Sequence, residues 1–172
     1  MEITLELLRN LGACKRTRDY FFRTYGFSAA APLRQVWDEW VGWRESANYS
    51  NEDRIWLACR LLEDKKRDAL AFRFAGQAMR FAGITEYADN VTLENWRDAS
   101  ERARELWADS DYQNEKINGA RICAHRAACS AIDKKPIYAE LAAEDARRVA
   151  PSGQGVAALT EQVQWCAEAL FS

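Results

Sequence analysis

His125 and Cys129 stand four residues apart in GARICAHRAACSAI, the segment 119–132. On a helix that spacing lets an imidazole and a thiol meet, which is what a thiolate nucleophile with an adjacent base requires. A single histidine on an alanine-rich helix is more often surface or satisfied core, and catalysis is not expected of it. The nearest cysteine pair, Cys123 and Cys129, is six residues apart and falls on different sides of a helix. Zinc sites instead carry CxxC or HExxH spacing, so no metal is expected. Glu101 with Glu105, and Asp111 with Glu115, have the spacing of acid/base or metal carboxylates but lie on polar helix faces, where such pairs are ordinary. No glycine-rich phosphate loop, GxSxG elbow or dinucleotide fingerprint occurs. The chemistry-bearing residues describe a protein that is not an enzyme and holds no cofactor.

Binding chemistry is better represented. Lys15, Arg16, Arg18 and Arg23 cluster beside Tyr20 and Tyr25, and Lys65, Lys66 and Arg67 form a second basic run. Either could grip phosphate, but Asp19, Glu63, Asp64 and Asp68 cut the local field and the net charge is −2. Nucleic acid is therefore not the expected partner. WDEWVGW, residues 37–43, holds three of the seven tryptophans. On a helix Trp37, Trp40 and Trp43 cover an arc of about 120° that also takes in Leu33 and Val36. Trp37 and Trp40 are expected to be mostly core. Trp43, with Arg44 and Tyr49, is expected at an exposed edge, a composition typical of binding hot spots.

Helices must position these groups. Gly12 and Gly26 close two short N-terminal helices, and Pro32 is expected in the first turn of a third that carries the tryptophans to about Asn48. SNED (50–53) and SDYQ (110–113) resemble capping boxes. Ile3, Leu7, Leu8 and Leu11 predict the first apolar face, and Leu93, Trp96, Ala99, Ala103, Leu106 and Trp107 a later one. Ile117 to Ala131 and Val156, Leu159, Val163, Cys166 and Leu170 give two further stripes. Pro136 starts another helix, and PSGQG (151–155) is the most loop-like segment. The expected fold is all-α, a helical-hairpin bundle of eight or nine amphipathic helices. It is read as a single domain over 1–172, with 1–49 as an N-terminal subdomain and 50–172 as the main core.

At 172 residues, with 48% hydrophobic and 29% charged side chains, the chain can bury a core without staples. Its longest apolar runs are too short for a membrane span, and MEITLELLRN lacks the pattern of a secretory leader. A cytoplasmic protein is expected, its five scattered cysteines reduced and mostly buried.

LELLRNLGACKRTRDYFFRTYG, RIWLACRLL and GARICAHRAACSAI, spread discontinuously along the chain, resemble segments of the Ala/Trp-rich helical accessory proteins of tailed bacteriophages and prophages. The resemblance implies no reaction. It implies a setting in which small proteins bind and disable host machinery, anti-CRISPR proteins among them. The expectation is a non-enzymatic inhibitor of a host defence system such as CRISPR-Cas, with Trp40, Trp43, Arg44, Tyr49, Lys15, Arg16, Arg18 and Arg23 as contacts. The alternatives are an immunity protein that neutralises a toxin and a self-associating structural phage protein, a homodimer included.

Overall fold

The computed structural model describes residues 1–39, 47–108, 115–132 and 135–172, with the side chains of 47–50, 115–120, 123 and 130 outside the description. The fold is all-α: nine helices and one two-stranded ribbon among the described residues. None of these helices is long and apolar enough to cross a membrane. The chain forms two compact units, Met1–Arg54 and Ile55–Ser172, divided within a helix.

The first unit contains β1 (Glu2–Thr4), α1 (Leu5–Asn10), α2 (Lys15–Tyr25), β2 (Ala30–Pro32), α3 (Leu33–Glu39) and the start of α4 (Ala47–Leu61). The ribbon departs from the expected helices. Ile3 pairs antiparallel with Ala31 and both are buried, rather than Ile3 sharing a helical stripe with Leu7. Thr4 decides this: its extended backbone and β-branched side chain suit a strand end, and its hydroxyl caps α1 by accepting from the Leu7 N–H at 3.0 Å. Pro32 ends β2 opposite Glu2, and α3 begins one residue later, where the Leu33 N–H donates to the Met1 carbonyl. At the end of α1, Gly12 takes φ +78° while its N–H and that of Ala13 reach back to Arg9 and Leu8. That is a Schellman closure, which a side chain at Gly12 would strain.

The second unit packs α5 (Asp64–Phe81), α6 (Trp96–Ala108), α7 (Glu115–Ala131) and α8 (Pro136–Val149), with α9 (Gly155–Phe171) against α5 and α8. Ala124, Ala127, Ala128 and Ala131 on α7, and Ala139, Ala142, Ala143 and Ala146 on α8, are all at most 2% exposed. Their small side chains let these two helices approach closely. Leu57, Leu70, Phe74, Met79 and Ile84 supply the bulk of the core. Lys135 and Pro136 begin α8 as expected, and 151–154 is a turn.

Some expected features differ. SNED does not cap α4, which is already under way at Ala47, and SDYQ lies outside the described residues. Leu93, Trp107 and Val156 are exposed, at 61%, 44% and 59%. Thr92 and Asn95 exchange backbone-to-side-chain hydrogen bonds before Trp96, which leaves Leu93 on the rim of a capping turn. The buried face of α6 is the narrow set Ala99, Ser100 and Ala103, and Ser100 turns inward to meet His125.

Candidate functional site

Helix α2 divides its side chains by period. Thr17 and Phe21 point into the first unit, and Phe21 packs on Tyr25 with ring centroids 4.8 Å apart. Lys15, Arg16, Phe22 and Arg23 are left exposed, with Arg18 half-buried beside them. Cys14 caps this helix, its sulfur accepting from the Thr17 N–H at 3.5 Å and lying 3.2 Å from the Thr17 hydroxyl. Burial opposes ionisation of the Cys14 thiol, but these Thr17 contacts outweigh it and hold the thiol below its ordinary range.

A surface groove of about 400 Å³ runs between α1 and α2, lined by Leu5, Arg9, Lys15, Arg18, Asp19, Phe22 and Phe27. Phe22 and Phe27 are 47% and 69% exposed and meet edge to face, with centroids 6.3 Å apart. Large exposed aromatics are unusual on a surface without a partner. Three cations face one carboxylate here, and among the described residues Arg9, Lys15 and Arg18 form no ion pair. The groove can therefore take an anionic group with an apolar neighbour.

Other charged features are already engaged. A second groove of about 420 Å³, beside Phe81 and Pro151, contains Arg80 and Glu161, which pair at 2.6 Å while Arg80 also holds Asp89. Lys66 donates to the Ala169 carbonyl and Ser172 at the end of α9, and Arg67 is buried against the Leu62 carbonyl and Asp64. Lys66 and Arg67 of the basic run thus have structural work at helix ends, while Lys65 is exposed. Glu101 and Glu105 pair with Arg104 and Arg102 of their own helix, whereas Asp111 lies outside the described residues.

Of the expected contacts, Lys15 and Arg18 line the first groove, while Arg16 and Arg23 are exposed elsewhere on α2. Trp40, Trp43, Arg44 and the Tyr49 side chain lie outside the described residues. Trp37 is buried, 4% exposed, beneath Arg54, whose guanidinium donates to the Trp37 and Asp38 carbonyls. The Tyr25 hydroxyl donates to Glu39, keeping that carboxyl below its usual range. Arg9, Phe22 and Phe27 were not singled out from the sequence. Phe22 follows Arg18 by one helical turn, a signal that spacing could have supplied.

His125 and Cys129 do meet. The cysteine sulfur is 4.0 Å from His125 Nε2, and Ser100 Oγ bridges them at 2.9 Å from Nδ1 and 3.2 Å from Sγ. The expectation of mostly buried thiols holds for Cys59 and Cys166 but not for Cys14 and Cys129, which are exposed. Burial pushes the Cys59 thiol up to about 12 and Cys166 well above its ordinary value, so both are inert. Among the described residues no group of three or more His, Cys, Asp or Glu converges as a metal site. No family model matches the chain, and no curated protein or solved structure is similar enough to serve as a relative.

Proposed function

We propose that the protein is a non-enzymatic binding protein whose groove between α1 and α2 docks an acidic, partly apolar surface of a partner protein. The observation that carries this is the set of unneutralised cations, Arg9, Lys15 and Arg18, beside the exposed Phe22–Phe27 edge. An acidic side chain or chain terminus would satisfy the guanidinium groups, and an apolar neighbour would cover the rings. Single-stranded nucleic acid shares part of that chemistry. The protein reading is favoured because Asp19 lies in the groove, the net charge is −2, and each ring is already engaged by the other.

The likeness to phage and prophage accessory proteins makes a bacterial defence protein, a CRISPR effector included, the first partner class to test. A toxin neutralised as by an immunity protein is the next. The test compares the wild-type chain with the double variant Arg9→Glu, Arg18→Glu as bait for purified defence and toxin proteins at low and high salt. The expected partner binds the wild type, loses function when bound, and binds the variant more weakly by about 2–4 kcal/mol. Equal binding by a folded variant moves the interface off this groove. A salt-steep complex with single-stranded DNA or RNA and no protein partner replaces the reading with nucleic-acid binding, and concentration-dependent self-association lost in the variant replaces it with assembly.

A further inference from the structure

We infer that Cys129 is a thiol-modification site, activated by His125 for exchange with a low-molecular-weight disulfide of the glutathione class. The site lies in the second unit and is independent of the groove.

Three observations converge on Cys129. First, its side chain is exposed, unlike Cys59 and Cys166, so a small disulfide can reach the sulfur. Second, the imidazole is oriented. With the proton on Nδ1, the ring donates to the Ser100 carbonyl at 3.1 Å and to Ser100 Oγ at 2.9 Å. The Ser100 hydroxyl then donates to Sγ at 3.2 Å, and Nε2 is left as an acceptor facing the thiol at 4.0 Å. This single tautomer satisfies all four contacts. Third, Ser100 is 5% exposed on α6, so the ring is held from a packed neighbouring helix rather than from its own flexible surface. Cys14, the other thiol exposed among the described residues, has no nitrogen base among its hydrogen-bond partners and is committed to capping α2.

The small disulfide is itself the oxidant, and the step balances with it. Nε2 accepts the thiol proton as Sγ attacks one sulfur of the disulfide. The S–S bond of the reagent breaks, its second half leaves as a thiolate, and that thiolate takes the proton from the imidazolium. A mixed disulfide on Cys129 and one free small thiol result. A reducing thiol reverses the modification.

The experiment uses the full chain with Cys14→Ser, which keeps a capping oxygen at α2 and removes that second thiol. After timed incubation with glutathione disulfide at pH 7 and acid quench, peptide mapping by mass spectrometry gives the rate at each cysteine. Glutathione is expected on Cys129, and His125→Gln, which keeps a polar side chain but no base, is expected to slow that site about tenfold. A slowing of less than threefold overturns the proposal, as does modification that spares Cys129 in favour of another cysteine. If the His125→Gln chain melts early, the Cys129 rate in the parent chain is compared with that of N-acetylcysteine under the same conditions. A faster rate sustains the proposal, and an equal or slower rate overturns it.

Discussion

Glu140 sits where burial outweighs its cation. Its side chain is 22% exposed, and Arg60 approaches Oε1 at 3.2 Å while lying over the Trp56 ring. That oxygen still has no hydrogen bond among the described residues. Burial raises the Glu140 carboxyl to about 7 and Arg60 only partly reverses the shift. A carboxyl whose folded-state value lies above its unfolded one binds the proton more tightly when folded. The stability supplied by this tighter protonation is therefore fully present below the unfolded value and declines as pH rises from about 4.5 to about 7, by roughly 3 kcal/mol over the window. Glu140→Gln is expected to flatten that decline and to leave the variant more stable than wild type at pH 7.5. Urea titrations at pH 4.5 and 7.5 measure it, and an unchanged slope in the variant would assign the decline elsewhere. Sequence spacing could place Glu140 on a helix but not beside Arg60, 80 residues away, so this shift was illegible there. His125 and Cys129 were legible as a pair because their contact is local, whereas Ser100 was not, because it arrives from α6.

At the scale of elements, close approach leaves a sharper signature than hydrophobic pattern. Gly76 lies inside α5, and the 88–90 backbone crosses it so tightly that an added Cβ would stand 2.7 Å from Asp89 Cα and 3.0 Å from its carbonyl carbon. Asp89 N–H donates to the Gly76 carbonyl at 3.1 Å, with Asp89 itself at φ 57°. Gly76→Ala gains about 1 kcal/mol of helix propensity, but backbone atoms cannot swing aside as a flexible side chain would. The clash is expected to win, with a net loss of about 1–3 kcal/mol by thermal or urea unfolding, and a stabilised variant would show that the crossing relaxes. The α7 face was readable in sequence, since Ala124, Ala127 and Ala131 bury one side of a regular period against neighbours. The α9 stripe was read only in part: Leu159 and Cys166 are buried, but Ala158, Gln162 and Trp165 complete the face where Val163 and Leu170 were expected. The β1–β2 ribbon was not readable, since three-residue strands carry almost no alternation and Ile3 fitted a helical stripe equally well. Leu93 and Val156 failed for a related reason: a period names the face, but where the neighbouring helix ends decides whether its first turn is covered.

Across the whole molecule, the two units differ in how they are held. In Met1–Arg54, α1 and α3 have six and seven residues, lengths at which an isolated helix does not persist in water. Their order rests on the Thr4 cap, the Gly12 closure, the short ribbon and a small cluster around Leu8, Phe21 and Trp37. In Ile55–Ser172, α5, α7 and α9 have 17 or 18 residues, and polar groups are tied together inside the core. Gln162, fully buried, donates to Gln77 at 2.6 Å and to the Ala143 carbonyl at 3.0 Å, and accepts from Arg147 at 3.2 Å. Gln77 in turn donates to Glu161 and the Ala158 carbonyl. Such a network joins α5, α8 and α9, so opening any one of them strands buried polar groups of the others. Native-state hydrogen exchange is therefore expected to show two levels of protection, with α1 and α2 amides opening at least about 2 kcal/mol below those of α5 and α8, a factor of about 30 in exchange rate. That ranking would suit the proposed docking groove on α1 and α2, whose helices could then adjust locally. Equal protection in the two sets would mean that they open as one cooperative body, and the groove would then have to bind without local adjustment.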